Sequence, residues 1–246
     1  NSGAEANEAA IKLAYRYYDA KKKFILASKN AFHGKLIASG SISGSYSLKN
    51  NFPYFKFKDE FKVNNLRSLK RLEPKMKKNN FFGLIIECFS ASTLTRVNEE
   101  FMREVFRLKK KYNFLVIFDE IYVGWGKTGY LFSYQRYNKF EPDIVTFSKS
   151  FGGGKSSISG YVANKKIFSK VYENVEDSLL HTTTYNGFGE ECITANEAIN
   201  IIVKNKYYLK ARSIEKDVKE NFEILKNKNP EKIVALKGEG ALFGIY

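Results

Sequence analysis

Five consecutive apolar residues, Phe114-Leu115-Val116-Ile117-Phe118, run straight into the carboxylates Asp119 and Glu120. A run with no polar alternation fits a strand covered on both faces, as the strands of a parallel sheet are. A segment of helical periodicity precedes it: over 97–111, Phe101, Val105 and Leu108 fall on one stripe that continues to Tyr112. The same helix-to-strand unit opens the chain. Ser2 precedes a helix in which Ile11, Ala14, Tyr15 and Tyr18 are spaced by three and four, and Phe24-Ile25-Leu26-Ala27 then reads as a strand.

Further strands are expected at Phe82 to Glu87, Ile144 to Phe147 and Ile158 to Ala163, with helices at Lys165 to Tyr172, 190–204 and 207–226. In the last helix Ala211, Ile214, Val218, Phe222 and Leu225 form the apolar face. Residues 29–80 are rich in loop-forming residues, with Gly34, Gly40 and Gly44 marking turns and Asn50-Asn51-Phe52-Pro53 another. Strands alternating with helices predict an α/β fold, a mostly parallel sheet flanked by helices, with sites at the carboxyl ends of the strands. Glu87, Asp119 and Lys149 all take such positions, and Ile233 to Tyr246 reads as the start of a smaller α+β domain.

Lys149 follows one predicted strand and precedes Gly152-Gly153-Gly154. A lysine at the end of a buried strand can shed its proton and condense with an aldehyde, and an aspartate at a neighbouring strand end can hold a protonated ring nitrogen. Lys149 and Asp119 together read as a pyridoxal phosphate site. The alternative for each residue alone is a surface lysine and a turn cap.

Charge and rare residues bound this reading. There are 41 basic and 26 acidic residues, a net charge of +15, which attracts anions. The lysines are spread along the whole chain among many Asn and Ile residues, with only four prolines, so compositional bias is the preferred explanation and no nucleic-acid partner is expected. Cys88 and Cys192 lie far apart, and His33 and His181 are the two histidines, which suggests neither a disulfide framework nor a metal centre. No stretch approaches the length of a membrane helix, and Asn1 to Glu5 lack the character of a signal segment, so a soluble cytoplasmic protein is expected. Asn1 to Glu5 also read as a loop entering a helix, and Ala241 to Tyr246 stop inside a strand-like pattern, so the sequence is expected to be a piece of a longer protein.

Three segments, in order, resemble the class III aminotransferases, the fold-type I pyridoxal phosphate enzymes. They are Asn1-Ser2-Gly3-Ala4-Glu5-Ala6-Asn7-Glu8-Ala9, then Asp119-Glu120-Ile121-Tyr122-Val123-Gly124-Trp125-Gly126-Lys127-Thr128-Gly129, then Lys149 with its glycines. The resemblance covers most of the chain to about Asn205 and implies a large cofactor-binding domain over 1–205, with 206–246 as the connecting helix and the beginning of the small C-terminal domain.

Residue by residue, the resemblance implies that the amides of Gly3 and Ala4, with the Ser2 hydroxyl, hold the cofactor phosphate at a helix N-terminus. The alternative there is an ordinary helix cap. Phe32 in Phe32-His33-Gly34 is implied to stack on the ring and Ile121 to pack on the opposite face, while His33 is read as orienting its loop. Asp119 is implied to pair with the pyridine nitrogen, and Lys149 to form the Schiff base and later carry the proton. Tyr122 stands where the family commonly has Gln near the ring hydroxyl. Glu87 matches a strand-end Glu behind the cofactor contacts, but Cys88-Phe89-Ser90-Ala91-Ser92 departs from the usual proline- and glycine-rich continuation. Thr184 matches a threonine that reaches the phosphate across a homodimer interface, although Phe188-Gly189-Glu190-Glu191 departs from the usual Asn-Pro pair.

The implied activity is transfer of an amino group from an amino acid or amine to a keto acid or aldehyde. Aminomutase, decarboxylase and racemase chemistry on the same fold are the near alternatives, and a nonenzymatic protein on this fold a further one. A more distant reading takes Gly154-Lys155-Ser156 as the end of a Walker A loop in a nucleotide hydrolase. That motif needs glycine where Lys149 stands.

Overall fold

A computed structural model describes residues 1–44 and 52–246; residues 50 and 51 of the expected 50–53 turn lie outside these. The centre is a six-stranded sheet built from β1 (Phe24–Ser28), β2 (Lys58–Phe61), β3 (Phe81–Ile86), β6 (Leu115–Asp119), β7 (Ile144–Phe147) and β8 (Gly160–Ala163), in the order β2-β1-β3-β6-β7-β8. All neighbours are parallel except β8, which closes one edge antiparallel to β7. Every residue of β3 and β6 is buried, as their unbroken apolar runs require.

Two cores flank this sheet. On one face α5 (Glu99–Tyr112) brings Phe101, Met102, Val105 and Leu108 against Leu84, Val116 and Phe118. The helix starts at Asn98, whose side chain accepts from the Phe101 amide, and stops at Asn113 in the left-handed conformation. On the other face α1 (Gly3–Tyr17) packs Ala10, Ile11, Leu13 and Ala14 against Ile25, Ile85 and Ile117. Its buried side is richer in alanine than the expected stripe. Tyr15 is 39% exposed and meets Phe82 only by its edge, while Tyr18 is the C-cap.

The stretch expected to be loop carries β2 and three short helices, α2 (Ile37–Ile42), α3 (Leu66–Lys70) and α4 (Glu73–Met76). Gly40 lies inside α2 rather than in a turn; a side chain there would stand 2.5 Å from Tyr54 Cε1. The remaining helices are α6 (Lys165–Val171), α7 (Gly189–Lys204) and α8 (Tyr207–Lys228). Of the apolar face expected on α8, Ala211 and Phe222 are buried whereas Ile214 and Leu225 are exposed.

Two small hairpins complete the fold, β4 (Phe89–Ser90) with β5 (Thr95–Arg96), and β9 (Leu236–Glu239) with β10 (Leu242–Ile245). The second is fastened to the loops around the sheet. Arg136 meets Glu239 with two nitrogens at 2.6 and 3.0 Å, the Ala241 amide donates to Lys127 O, and Leu242 packs on Phe89 and Val123. A two-pronged guanidinium–carboxylate pair of this kind fixes orientation as well as distance.

Candidate active site

The carboxyl ends of β3, β6 and β7 open into a cavity of about 480 Å³, within the usual range for small-molecule sites. Its wall holds Ser2, Gly3, Ala4, Phe32, Asp119, Ile121, Tyr122 and Lys149. Eight of the residues singled out from sequence therefore face one space. Thr184 is not on this wall; it is exposed, in the segment between β8 and α7.

Asp119 ends β6, is 3% exposed and is gripped from every side. Oδ1 accepts from the Ile121 amide at 3.0 Å. Oδ2 accepts from Asn7 Nδ2 at 2.8 Å and stands 2.7 Å from His33 Nδ1. Asn7 also donates to His33 O at 2.8 Å and accepts from Thr146 Oγ1 at 2.8 Å, so α1, the loop after β1, β6 and β7 meet in one buried network. His33 thus does more than orient its loop. Asn7 was legible as a polar residue on the buried stripe of α1, four before Ile11 and seven before Ala14.

The neighbouring Glu120 is fully buried and turns the other way. It accepts from the amides of Ser133 and Tyr134 and from Ser133 Oγ, anchoring the 3₁₀ turn Ser133–Arg136. The Asp-Glu pair therefore splits: Asp119 to the cavity, Glu120 to the scaffold.

Lys149 is exposed, just past the end of the largely buried β7. It opens the 3₁₀ turn Lys149–Gly152 with φ of +51°, a conformation that costs a non-glycine residue about 1 kcal/mol or more. Nζ lies 5.3 Å from the centroid of the Tyr122 ring. Trp125 holds this turn in place by stacking on Phe151 at 5.2 Å and meeting Phe147 edge-on at 5.8 Å. The motif after Asp119 thereby sets the loop that carries the lysine. Gly154-Lys155-Ser156 does not open a helix, as a Walker A loop would, but leads to the antiparallel β8. Ser156 instead lines the cavity, with a buried hydroxyl that has no hydrogen-bond partner among the described residues.

The N-terminus of α1 enters the same space. Ser2 forms a full capping box with Glu5, so its hydroxyl is engaged by the Glu5 amide at 3.4 Å. Helix geometry leaves the Gly3 and Ala4 amides without intrahelical carbonyls, with the positive end of the helix dipole behind them. Backbones approach closely here. A Cβ on Gly3 would lie 2.6 Å from Ile121 Cγ2, and one on Gly34, at φ +125°, 2.6 Å from Ala4 Cβ.

Glu87, just past β3, is buried beside this network and accepts from the Phe32 and Ala91 amides. Burial pushes its carboxyl up to about 7 against the downward pull of His33; the Asp119 charge adds to the rise. Between pH 4.5 and 7 the folded chain keeps a proton that the unfolded chain releases, so raising the pH through that window lowers stability. Denaturation curves at pH 5 and pH 7.5 should show Glu87→Gln losing a pH dependence of about 3 kcal/mol. An unchanged slope would contradict this origin.

The class III aminotransferase family model matches residues 1–246. The chain belongs to the class III aminotransferases. The acetylornithine/succinyldiaminopimelate aminotransferase of Buchnera aphidicola subsp. Acyrthosiphon pisum is 34% identical over 251 residues, covering 100% of this chain and 59% of that protein. The acetylornithine aminotransferase of Prochlorococcus marinus subsp. pastoris is 31% identical over 253 residues, with the same coverages. The chain thus spans 59% of the length of these curated relatives.

Among solved structures, ornithine aminotransferase from Toxoplasma gondii ME49 aligns with a TM-score of 0.84 at 23% identity, over 100% of this chain and 58% of that one. The taurine:2-oxoglutarate aminotransferase from Bifidobacterium kashiwanohense, solved in complex with PLP and glutamate, aligns with a TM-score of 0.86 at 22% identity, over 100% and 58%. At such identities the likeness establishes the class III aminotransferase fold, a mostly parallel sheet between helices.

Proposed function

We propose that this chain is the cofactor-binding part of a pyridoxal phosphate-dependent aminotransferase that moves an amino group from an amino acid or amine to a keto acid or aldehyde. The observation that carries the reading is the convergence of an amine, Lys149, and a buried carboxylate, Asp119, on one cavity that also receives the N-terminus of α1. The donor set fits the cofactor: two free helix amides for a phosphate, an acidic group for a ring nitrogen, an amine for an aldehyde, and apolar surface from Phe32 and Ile121. When bound, pyridoxal phosphate supplies an electron sink for negative charge developing at the amine-bearing carbon.

The chain's own residues do the rest. The Gly3 and Ala4 amides hold the phosphate in the field of α1, with Ser2 capping that helix. Asp119 presents a charge that cannot swing away, because Asn7, His33 and the Ile121 amide fix both of its oxygens. Lys149 Nζ would hold the cofactor through its aldehyde group, and as a free amine it would carry a proton to and from the reacting carbon. Tyr122 lines the wall beside that amine.

We assign residues 1–205 to the large domain and 206–246 to the connecting helix and the first part of the small domain. The active unit is a homodimer in the cytoplasm, with Thr184 contributed from one protomer to the phosphate of its partner. In support, no helix among the described residues is long and apolar enough to cross a membrane, and Thr184 is exposed away from its own cavity.

The reading is tested by titrating the full-length protein with pyridoxal phosphate and following visible absorbance, then adding amino donors with pyruvate or 2-oxoglutarate. A stoichiometric visible band that bleaches with one donor is expected. Absence of any band would refute the proposal.

A further inference from the structure

A second concavity of about 420 Å³ lies on the same side of the sheet, at the carboxyl ends of β1 and β2, and shares no lining residue with the cavity described above. Ligands of open α/β sheets gather at such strand ends. Four cations line it: Lys29 just after β1, Lys62 just after β2, and Arg67 and Arg71 from α3 and its C-cap.

These four differ from the cations around them. Lys58 has Glu60 at 2.8 Å, Lys75 has Asp59, Arg107 has Glu104 and Glu73, and Lys111 has Glu73. Among the described residues, Lys29, Lys62, Arg67 and Arg71 have no carboxylate within ion-pair distance. The one acidic group lining the concavity, Glu60, is already taken by Lys58. Arg67 and Arg71 are also four residues apart on one short helix, a spacing at which like charges repel. A bridging anion turns that repulsion into attraction.

The backbone beneath the cations is fixed in advance. The Lys29 amide donates to Phe61 O at 2.8 Å, and the Lys62 amide donates to Ser68 Oγ at 2.9 Å. The backbone therefore needs no ordering on binding, while the four exposed side chains are drawn together by the anion itself. Phe61, the aromatic residue of the floor, is 1% exposed, so no ring is offered for a base to stack on, as single-stranded nucleic acid requires. Guanidinium forks match phosphoryl oxygens in pairs. From this geometry we propose that the concavity binds a small anion with two or more negative charges, of the diphosphate type.

Calorimetric titration of the full-length protein with inorganic pyrophosphate at physiological ionic strength tests this. One saturable site per chain is expected, weakened about ten-fold or more in the Arg67→Gln/Arg71→Gln double variant. The exposed pair Lys210→Gln/Lys228→Gln should bind as the wild type does. Should the arginine variant fail to fold, Lys29→Gln/Lys62→Gln is expected to show the same loss. No saturable binding by the wild type, equal affinity in the folded variants, or tight binding of a single-stranded RNA oligonucleotide without binding of pyrophosphate would each overturn the proposal. Because pyrophosphate could also reach the α1 terminus, retention of its affinity in both double variants would identify that location instead.

Discussion

Lys149→Ala is expected to leave the fold unchanged and to remove turnover. The side chain is exposed and accepts no part of the core, so melting temperature should stay within the wild-type range. On the proposed function the chemical loss is large, because one amine would both hold the cofactor and move a proton, and the proton step alone contributes about 10²–10⁴-fold. Lys127 is the residue most able to confuse this result. Burial brings its ammonium down to about 8, with the nearby Lys149 charge pushing the same way. Its Nζ, however, donates to Gly124 O and does not line the cavity. Lys127→Met should therefore keep the visible band of the bound cofactor, while Lys149→Ala loses the covalent attachment and, with it, turnover. The opposite pattern would transfer the catalytic role to Lys127.

The strands that frame the site could be read from sequence because burial on both faces leaves a simple mark. β3 and β6 are uninterrupted apolar runs, and the carboxylates that end them, Glu87 and Asp119, stand where the runs meet the cavity. β2 escaped because it is an edge strand with the sequence Lys58-Asp59-Glu60-Phe61, of which only Phe61 is buried, so no periodic apolar signal exists. The short helices α2 to α4 each span too few residues for a 3.6-residue period to repeat. On α8 the apolar period is present, but no surface among the described residues covers Ile214 and Leu225, which remain exposed.

Within the site, residue types announced the chemistry but not the supports. His33 and Asn7 hold Asp119 through contacts spanning 86 and 112 residues, and no local pattern encodes a long-range hydrogen bond. Trp125 is similar. Its contact with Phe151 couples the Asp119 loop to the Lys149 loop only once β6 and β7 are paired. The sequence assigned a role to Asp119 and none to Glu120, and the end of the strand sends these consecutive side chains to opposite sides.

Substitution of Asp119 should injure fold and function together, and the two effects can be separated. Asp119→Ala strips the acceptor from Asn7 Nδ2, His33 Nδ1 and the Ile121 amide at a position that is only 3% exposed. Removing one member of such a buried group costs about 3–5 kcal/mol, which should appear as a lower denaturation midpoint even without cofactor. Asp119→Asn keeps the shape but not the pattern of acceptors. Its amide nitrogen must face either the Ile121 N–H or the Asn7 amide, and Asn7 cannot turn over without abandoning His33 O and Thr146 Oγ1. A smaller loss, about 1–3 kcal/mol, follows from one buried donor facing another. Because the charge is gone, turnover should fall by about 10²–10³-fold, the range for loss of one preorganised electrostatic group. Stability measured on the cofactor-free protein, set against turnover of the loaded one, divides the two contributions. If Asp119→Asn turned over within ten-fold of the wild type while melting several degrees lower, the carboxylate would be a structural clasp for α1 and the His33 loop, and its negative charge would play no part in the reaction.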